Sequence, residues 1–180
     1  MKKIILPIVL FLLGMAVFAQ EKMLTKTGKI TFEASVPAFE EVKATNDNAT
    51  CVINPATGEI ASLALMKGFR FKVALMEEHF NENYIESDKY PKATFKGKIE
   101  NFDAKALTAS AKDYTIKGKL ELHGKSKDIT MPAKIRKTDG GIEIISNFTI
   151  NTDDYGIDIP SVVKSKVSKS VSVRSEFTVK

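Results

Sequence analysis

The chain has 180 residues, a length for one domain, with charged residues at 27% and hydrophobic residues at 43%, the balance of a soluble globular chain. Its formal net charge of +5 includes Lys2 and Lys3 at the very start, and so mild an excess signals solubility and excludes a nucleic-acid-binding stripe. One cysteine, Cys51, excludes an internal disulfide.

Lys2 and Lys3 precede a mostly apolar run from Ile4 to Phe18, and Val17-Phe18-Ala19 has the small-residue form of a cleavage site before Gln20. This predicts a secretory signal peptide over residues 1–19 and a mature domain over residues 20–180, periplasmic or secreted. The competing reading is an N-terminal anchor, for which the run is shorter than the about 20 apolar residues of a span. No cysteine stands near the cleavage site to take a lipid. Cys51 reads as a small apolar strand residue, not a reactive thiol, although the compartment permits disulfides.

Beyond the leader, period-two alternation recurs. Lys29 to Ser35 places Ile30, Phe32 and Ala34 on one face of a strand that Pro37 ends. Phe39 to Thr45 fits either an extended segment or a turn of helix. Asn46-Asp47-Asn48 reads as a turn cluster. Ala49 to Ile53 and Glu59 to Met66 flank Asn54-Pro55-Ala56-Thr57-Gly58, a hairpin loop. Phe69 to Val73 alternates Phe69, Phe71 and Val73 as a further strand.

From Met76 to Ile85 the period changes. Met76, Phe80, Tyr84 and Ile85 form one stripe of a short helix, which Ser87, Asp88 and Pro91 break. Lys92 to Glu100 returns to a strand with Ala93, Phe95, Gly97 and Ile99 on the apolar face. Ala111 to Leu122 carries Tyr114, Ile116, Gly118, Leu120 and Leu122 inward. His123-Gly124-Lys125-Ser126 is a turn, and Lys127 to Arg136 carries Ile129, Met131, Ala133 and Ile135 inward. Asp139-Gly140-Gly141 is a hairpin turn. A strand opening at Ile142 presents Ile144, Ser146, Phe148 and Ile150, then Asp153 to Pro160 forms a loop. Lys169 to Val179 closes the chain with Val171, Val173, Phe177 and Val179 on one face. About eight or nine such strands predict an all-β barrel or sandwich with a short helical insertion. Lysines such as Lys96, Lys98, Lys117 and Lys119 fall on the outward positions, as a solvated face or guarded edge requires.

Catalytic signals are weak. His79 and His123 have no His or Cys at metal-ligand spacing, so no metal site is expected. His123 precedes a turn glycine and reads as a hydrogen-bonding turn residue. His79 reads as structural, with ligand contact as the alternative. No nucleophile elbow, P-loop or dinucleotide fingerprint occurs. Glu77-Glu78 and Asp153-Asp154 are adjacent pairs whose side chains diverge.

His79, Phe80, Tyr84-Ile85, Ser87-Asp88, Lys89-Tyr90-Pro91 and Thr94-Phe95 together resemble the signature of the YceI-like family. Gly118-Lys119-Leu120, His123-Gly124, Lys127, Pro132, Phe148, Asp154-Tyr155-Gly156-Ile157 and Val171 extend the resemblance over nearly the whole chain after the leader. It implies a lipocalin-like antiparallel β-barrel of about eight strands that encloses a long polyisoprenoid lipid.

An eight-stranded barrel is either packed solid or holds one small ligand. Apolar stripes alone favour a filled core. Gly97 and Gly118, both mid-strand on apolar faces, favour a cavity, since such glycines mark a bulge or a close approach. With the resemblance, the expected cavity lining is Phe32, Phe69, Phe71, Phe95, Gly97, Ile99, Ile116, Gly118, Leu120, Phe148, Val171, Val173 and Phe177. The expected function is non-catalytic carriage of an isoprenoid-type lipid or quinone. No cofactor and no nucleic acid are expected, and membrane contact is at most transient. The alternatives are a structural or interaction module with a filled barrel and, more weakly, a lipid hydrolase or isomerase.

Overall fold

Alternating apolar and polar positions build nine strands over residues 22–180, the part of the chain that the computed structural model describes. The expected leader lies outside these residues. The strands are β1 (Met23–Ser35), β2 (Lys43–Ile53), β3 (Glu59–Leu65), β4 (Arg70–Phe71), β5 (Lys92–Ile99), β6 (Lys112–Leu122), β7 (Lys125–Thr138), β8 (Gly141–Asn151) and β9 (Val167–Val179). A short helix, α1 (Ala74–His79), precedes a π-helical turn at Phe80–Tyr84. The strands pair in the order β1-β9-β8-β7-β6-β5-β3-β2, and β2 returns to β1. Every pairing is antiparallel. The result is a closed eight-stranded barrel, which leaves no unpaired edge in the ring. The two residues of β4 add to β2 beside Ala44 and Thr45.

Turn chemistry sets the register. Leu122 pairs with Lys125, so His123 and Gly124 alone turn the chain, with φ of +50° and +70°. Two successive positive φ values are what a tight hairpin needs to match the twist of its strands. Thr138 pairs with Gly141 across Asp139-Gly140, where the positive φ falls on Gly141 instead, at +127°.

Two local expectations are corrected. Asn46-Asp47-Asn48 is no turn, because β2 runs through it. Gly28 pairs with Ala49 and Ile30 with Asn46, so β2 has one residue more than β1 there and bulges. The Asn46 side chain accepts the Asn48 N–H at 2.9 Å, so the turn-forming chemistry is spent on the bulge. Phe69 to Val73 is no full strand either. Met66–Gly68 is a 3-10 turn, and only Arg70 and Phe71 pair, because β2 offers a partner for two residues before α1 begins.

The up-and-down order gives the barrel two unlike ends. Residues 36–42, 66–91, 123–124 and 152–166 connect strands at one end, and 54–58, 100–111 and 139–140 connect them at the other. At the second end Ile53, Ile99, Ile135 and Val179 have 0% exposure. Each such side chain contributes about 1.5–3 kcal/mol by burial, and together they form a solid floor. Towards the first end Phe32, Leu120, Ile129, Phe148 and Ile150 face inward yet remain only partly buried. The interior is therefore packed below and open above.

Candidate functional site

The open half of the barrel is a cavity of about 380 Å³, within the ~300–1,000 Å³ of small-molecule sites. Phe32, Phe69, Phe71, Phe95, Ile116, Leu120, Phe148, Val171, Val173 and Phe177, all anticipated from the strand faces, line it. Gly97, Gly118 and Ile99, anticipated with them, do not. Gly97 pairs with Gly118 across β5 and β6, and the ring of Phe95 lies over both. A Cβ on either glycine would come within 2.6 Å of Phe95 Cζ. The Lys117 carbonyl at Gly97 and the Lys96 carbonyl at Gly118 come nearer still, so the glycines make room for a phenylalanine ring and the facing backbone, not for a ligand. Ile99 lies below that ring, in the floor.

Four phenylalanines form a lip on one side of the mouth. Phe32 lies 5.2 Å from Phe69, 5.7 Å from Phe71 and 5.3 Å from Phe80 between ring centroids, and Phe71 lies 5.2 Å from Phe80. These tilted and edge-on contacts suit the aromatic quadrupole. Glu77 holds the lip's backbone in place: its carboxylate accepts from Arg70 Nη1 at 2.7 Å and from the Phe71 N–H at 3.1 Å.

On the other side the residues after β8 fold inward. Tyr155, Ile157 and Ile159 are buried and alternate with exposed Gly156, Asp158 and Pro160. Ile157, Ile159 and Val163 line the cavity. The period-two signal was present in this stretch, but its aspartates and Pro160 marked it as loop. Burial, with Asp154 alongside, pushes the Tyr155 hydroxyl up to about 12.

His123 clasps the two sides together. Its Nδ1 lies 3.0 Å from the Tyr155 carbonyl and its Nε2 lies 3.0 Å from Glu86 Oε2. The Tyr90 ring packs edge-on against the imidazole at 4.4 Å. The turn histidine is thus a hydrogen-bonding residue that ties the helical connection to the β8–β9 connection. His79 stands exposed on the cavity rim. Among the described residues no group of three His, Cys, Asp or Glu side chains could hold a metal ion.

The lining is chemically simple. Its titratable side chains, Glu40, His79, Tyr84 and Lys166, all belong to connections at the mouth. Below them the polar groups are hydroxyls, chiefly Ser62, Ser146 and Ser175, amid aliphatic and aromatic carbon. Ser146 Oγ donates to the Pro132 carbonyl at 2.6 Å. Such a wall suits a hydrocarbon chain and offers no nucleophile paired with a base. No helix among the described residues is long and apolar enough to cross a membrane.

Known structures share this architecture. A polyisoprenoid-binding domain from Saccharophagus degradans, implicated in plant cell wall breakdown, superposes with a TM-score of 0.71 at 18% identity, covering 86% of this chain and 95% of that one. BcnA of Burkholderia cenocepacia gives 0.68 at 16% identity, covering 83% and 94%. The YceI protein of Campylobacter jejuni gives 0.60 at 20% identity, covering 81% and 89%. No protein of curated function matches the sequence. The identities are low enough that these likenesses speak for the fold. The family model of the YceI-like domain matches residues 19–179, almost the entire sequence, and the chain therefore belongs to the YceI-like family.

Proposed function

We propose that this protein binds and carries an isoprenoid-type lipid or quinone inside its barrel, without catalysis, in the periplasm or outside the cell. The observation that carries this reading is the apolar cavity of about 380 Å³, whose ionisable groups are confined to the mouth. Burial of a hydrocarbon tail there is worth about 0.8 kcal/mol per CH₂, enough for strong binding with no reactive group. The polyisoprenoid-binding domain with the same fold supports the class of ligand. The Lys2-Lys3 start, the short apolar run and Ala19 support export.

Transient contact with a membrane surface is part of the same reading. Phe39, Leu75 and Val162 are exposed on three of the connections that surround the mouth. A lipid that enters or leaves must pass between a bilayer and this rim.

The test is organic extraction and mass spectrometry of protein purified natively from its own host. A co-purifying isoprenoid lipid or quinone is expected. Protein that carries no lipid from a membrane-containing host would sink the carrier reading and favour a structural or interaction module. Turnover of a bound lipid that disappears with His79→Ala would make it an enzyme instead.

A further inference from the structure

His123 stands between two groups that only accept hydrogen bonds. Its Nδ1 lies 3.0 Å from the Tyr155 carbonyl and its Nε2 lies 3.0 Å from Glu86 Oε2. A carbonyl and an ionised carboxylate bring no proton of their own, and a neutral imidazole has one N–H to give. It therefore bonds one of the two and turns a lone pair towards the other. Both contacts become hydrogen bonds only with a second proton, whether the ring or the carboxyl carries it. The closed clasp thus holds one proton more than a neutral ring beside a carboxylate. Two further features mark this contact as built. The His123 side chain is nearly buried, with 11% exposure. Glu86 and His123, at φ of +46° and +50°, are two of the four non-glycine residues with positive φ among the described residues, and such backbone persists where its surroundings hold it. Around Glu86 the Lys89 and Tyr90 N–H groups donate to the Glu86 carbonyl at 2.8 and 2.9 Å.

Other charged and titratable groups surround the pair. From the β3–β5 connection, Tyr90 packs on the imidazole and Lys89 Nζ lies 3.8 Å from Glu86 Oε1. From the β8–β9 connection, Tyr155 turns its carbonyl to the ring, and Asp154 pairs with Lys127 of β7 at 3.6 Å. Lys125 of the same hairpin as His123 lies beside Gly156. Carboxylates, tyrosines and lysines ordinarily titrate outside about pH 5–8, and histidine within it.

We infer that His123 and Glu86 form a proton-operated latch on the mouth of the barrel, closed in mild acid and loosened as pH rises, which sets how fast the bound lipid leaves. The inference rests on the lipid-binding reading above. Ile85, beside Glu86, and Ile157, two residues past Tyr155, both line the cavity. The latch therefore joins two stretches of cavity wall that belong to different connections. The sign follows from linkage: the closed state holds the extra proton, so rising pH favours the open one. Loss of that proton leaves the Nε2 lone pair against the carboxylate, and Glu86, with 43% side-chain exposure, turns to water instead. Protonation of a histidine that biases one contact between two elements is the general form of a pH switch.

The experiment follows transfer of menatetrenone or geranylgeraniol from loaded protein to phosphatidylcholine vesicles at about pH 5.5 and about pH 8, either side of the usual histidine titration. Unmodified protein should release about three- to tenfold faster at the higher pH, up to the scale of one charge-assisted hydrogen bond. Glu86→Gln puts an amide where the carboxylate was. The amide donates to a neutral Nε2, so this variant should release slowly, and at the same rate, at both pH values. His123→Asn suits the left-handed backbone but lacks the two-sided ring, and should release fast at both. Heat unfolding of lipid-free protein is recorded at the same two pH values, and the unmodified protein should lose stability relative to Glu86→Gln as pH rises. Equal release by the unmodified protein at both pH values would overturn the inference. So would a pH dependence that persists in Glu86→Gln, which would belong to His79 on the rim. Protein that takes up neither probe would overturn the lipid-binding reading, and the unfolding comparison would still decide whether the latch exists.

Discussion

Phe95 covers Gly97 and Gly118, and the backbone of the facing strand lies closer still, so ring and backbone together decide what a larger residue does there. In lipid-free protein Gly118→Leu should lose about 1–3 kcal/mol or more in urea unfolding, because the new side chain meets the Lys96 carbonyl and the Gly97 Cα of the facing strand as well as a ring already packed in place. Combined with Phe95→Ala, the loss should be less than the sum of the two single changes, since the residues share one space. Additive losses would show that the ring is not the obstacle. Cys51 is a second residue whose surroundings determine its chemistry. It has 0% exposure, and burial pushes its thiol up to about 12. The thiolate is the reactive form, so Cys51 should resist thiol reagents at about pH 8 until the protein unfolds. Labelling at the same rate in native and unfolded protein would contradict this burial.

At the scale of elements, the connection between β3 and β5 functions as a lip. Four phenylalanines from β1, β4 and the two turns of that connection meet there, while Glu77 and His123 fix its backbone and its flank. Phe80 is half-buried, so Phe80→Ala should cost about 2 kcal/mol, less than the ~3–5 kcal/mol of a fully buried ring. A loss under about 1 kcal/mol in chemical denaturation would place the ring on the surface. Because Phe80 also lines the cavity, the same variant should release bound lipid faster.

For the molecule as a whole, the two ends of the barrel separate stability from binding. The floor contains the start of β1, where Leu24 and Lys180 exchange backbone hydrogen bonds of 3.0 and 3.2 Å. The described chain thus enters the barrel at the end away from the mouth. Exported protein should have an intact mass that begins at or near Gln20. A product that still starts at Met1 would remove the basis for a cleaved leader.

Much of this was legible in the sequence, for a physical reason. A strand with one face buried must alternate, so Tyr114 to Leu122 and Ile142 to Ile150 announce both strand and inward face before any partner is known. The Phe80–Tyr84 stripe and the Asp139-Gly140 turn are equally local, and so is the family resemblance that gave the barrel. Depth along the barrel is not local. Alternation assigns Ile99 and Phe95 to the same face and cannot say that one seals the floor while the other lines the cavity. Nor does it say that the space above Gly97 and Gly118 is filled by a ring two residues away in sequence from Gly97. The bulge at Asn46–Asn48 depends on the register of β1 against β2, and the inward fold of Tyr155, Ile157 and Ile159 depends on the clasp from His123. Closing the ring settled these points, because only then does each inward side chain acquire neighbours from across the barrel, and with them either a packed contact or open space.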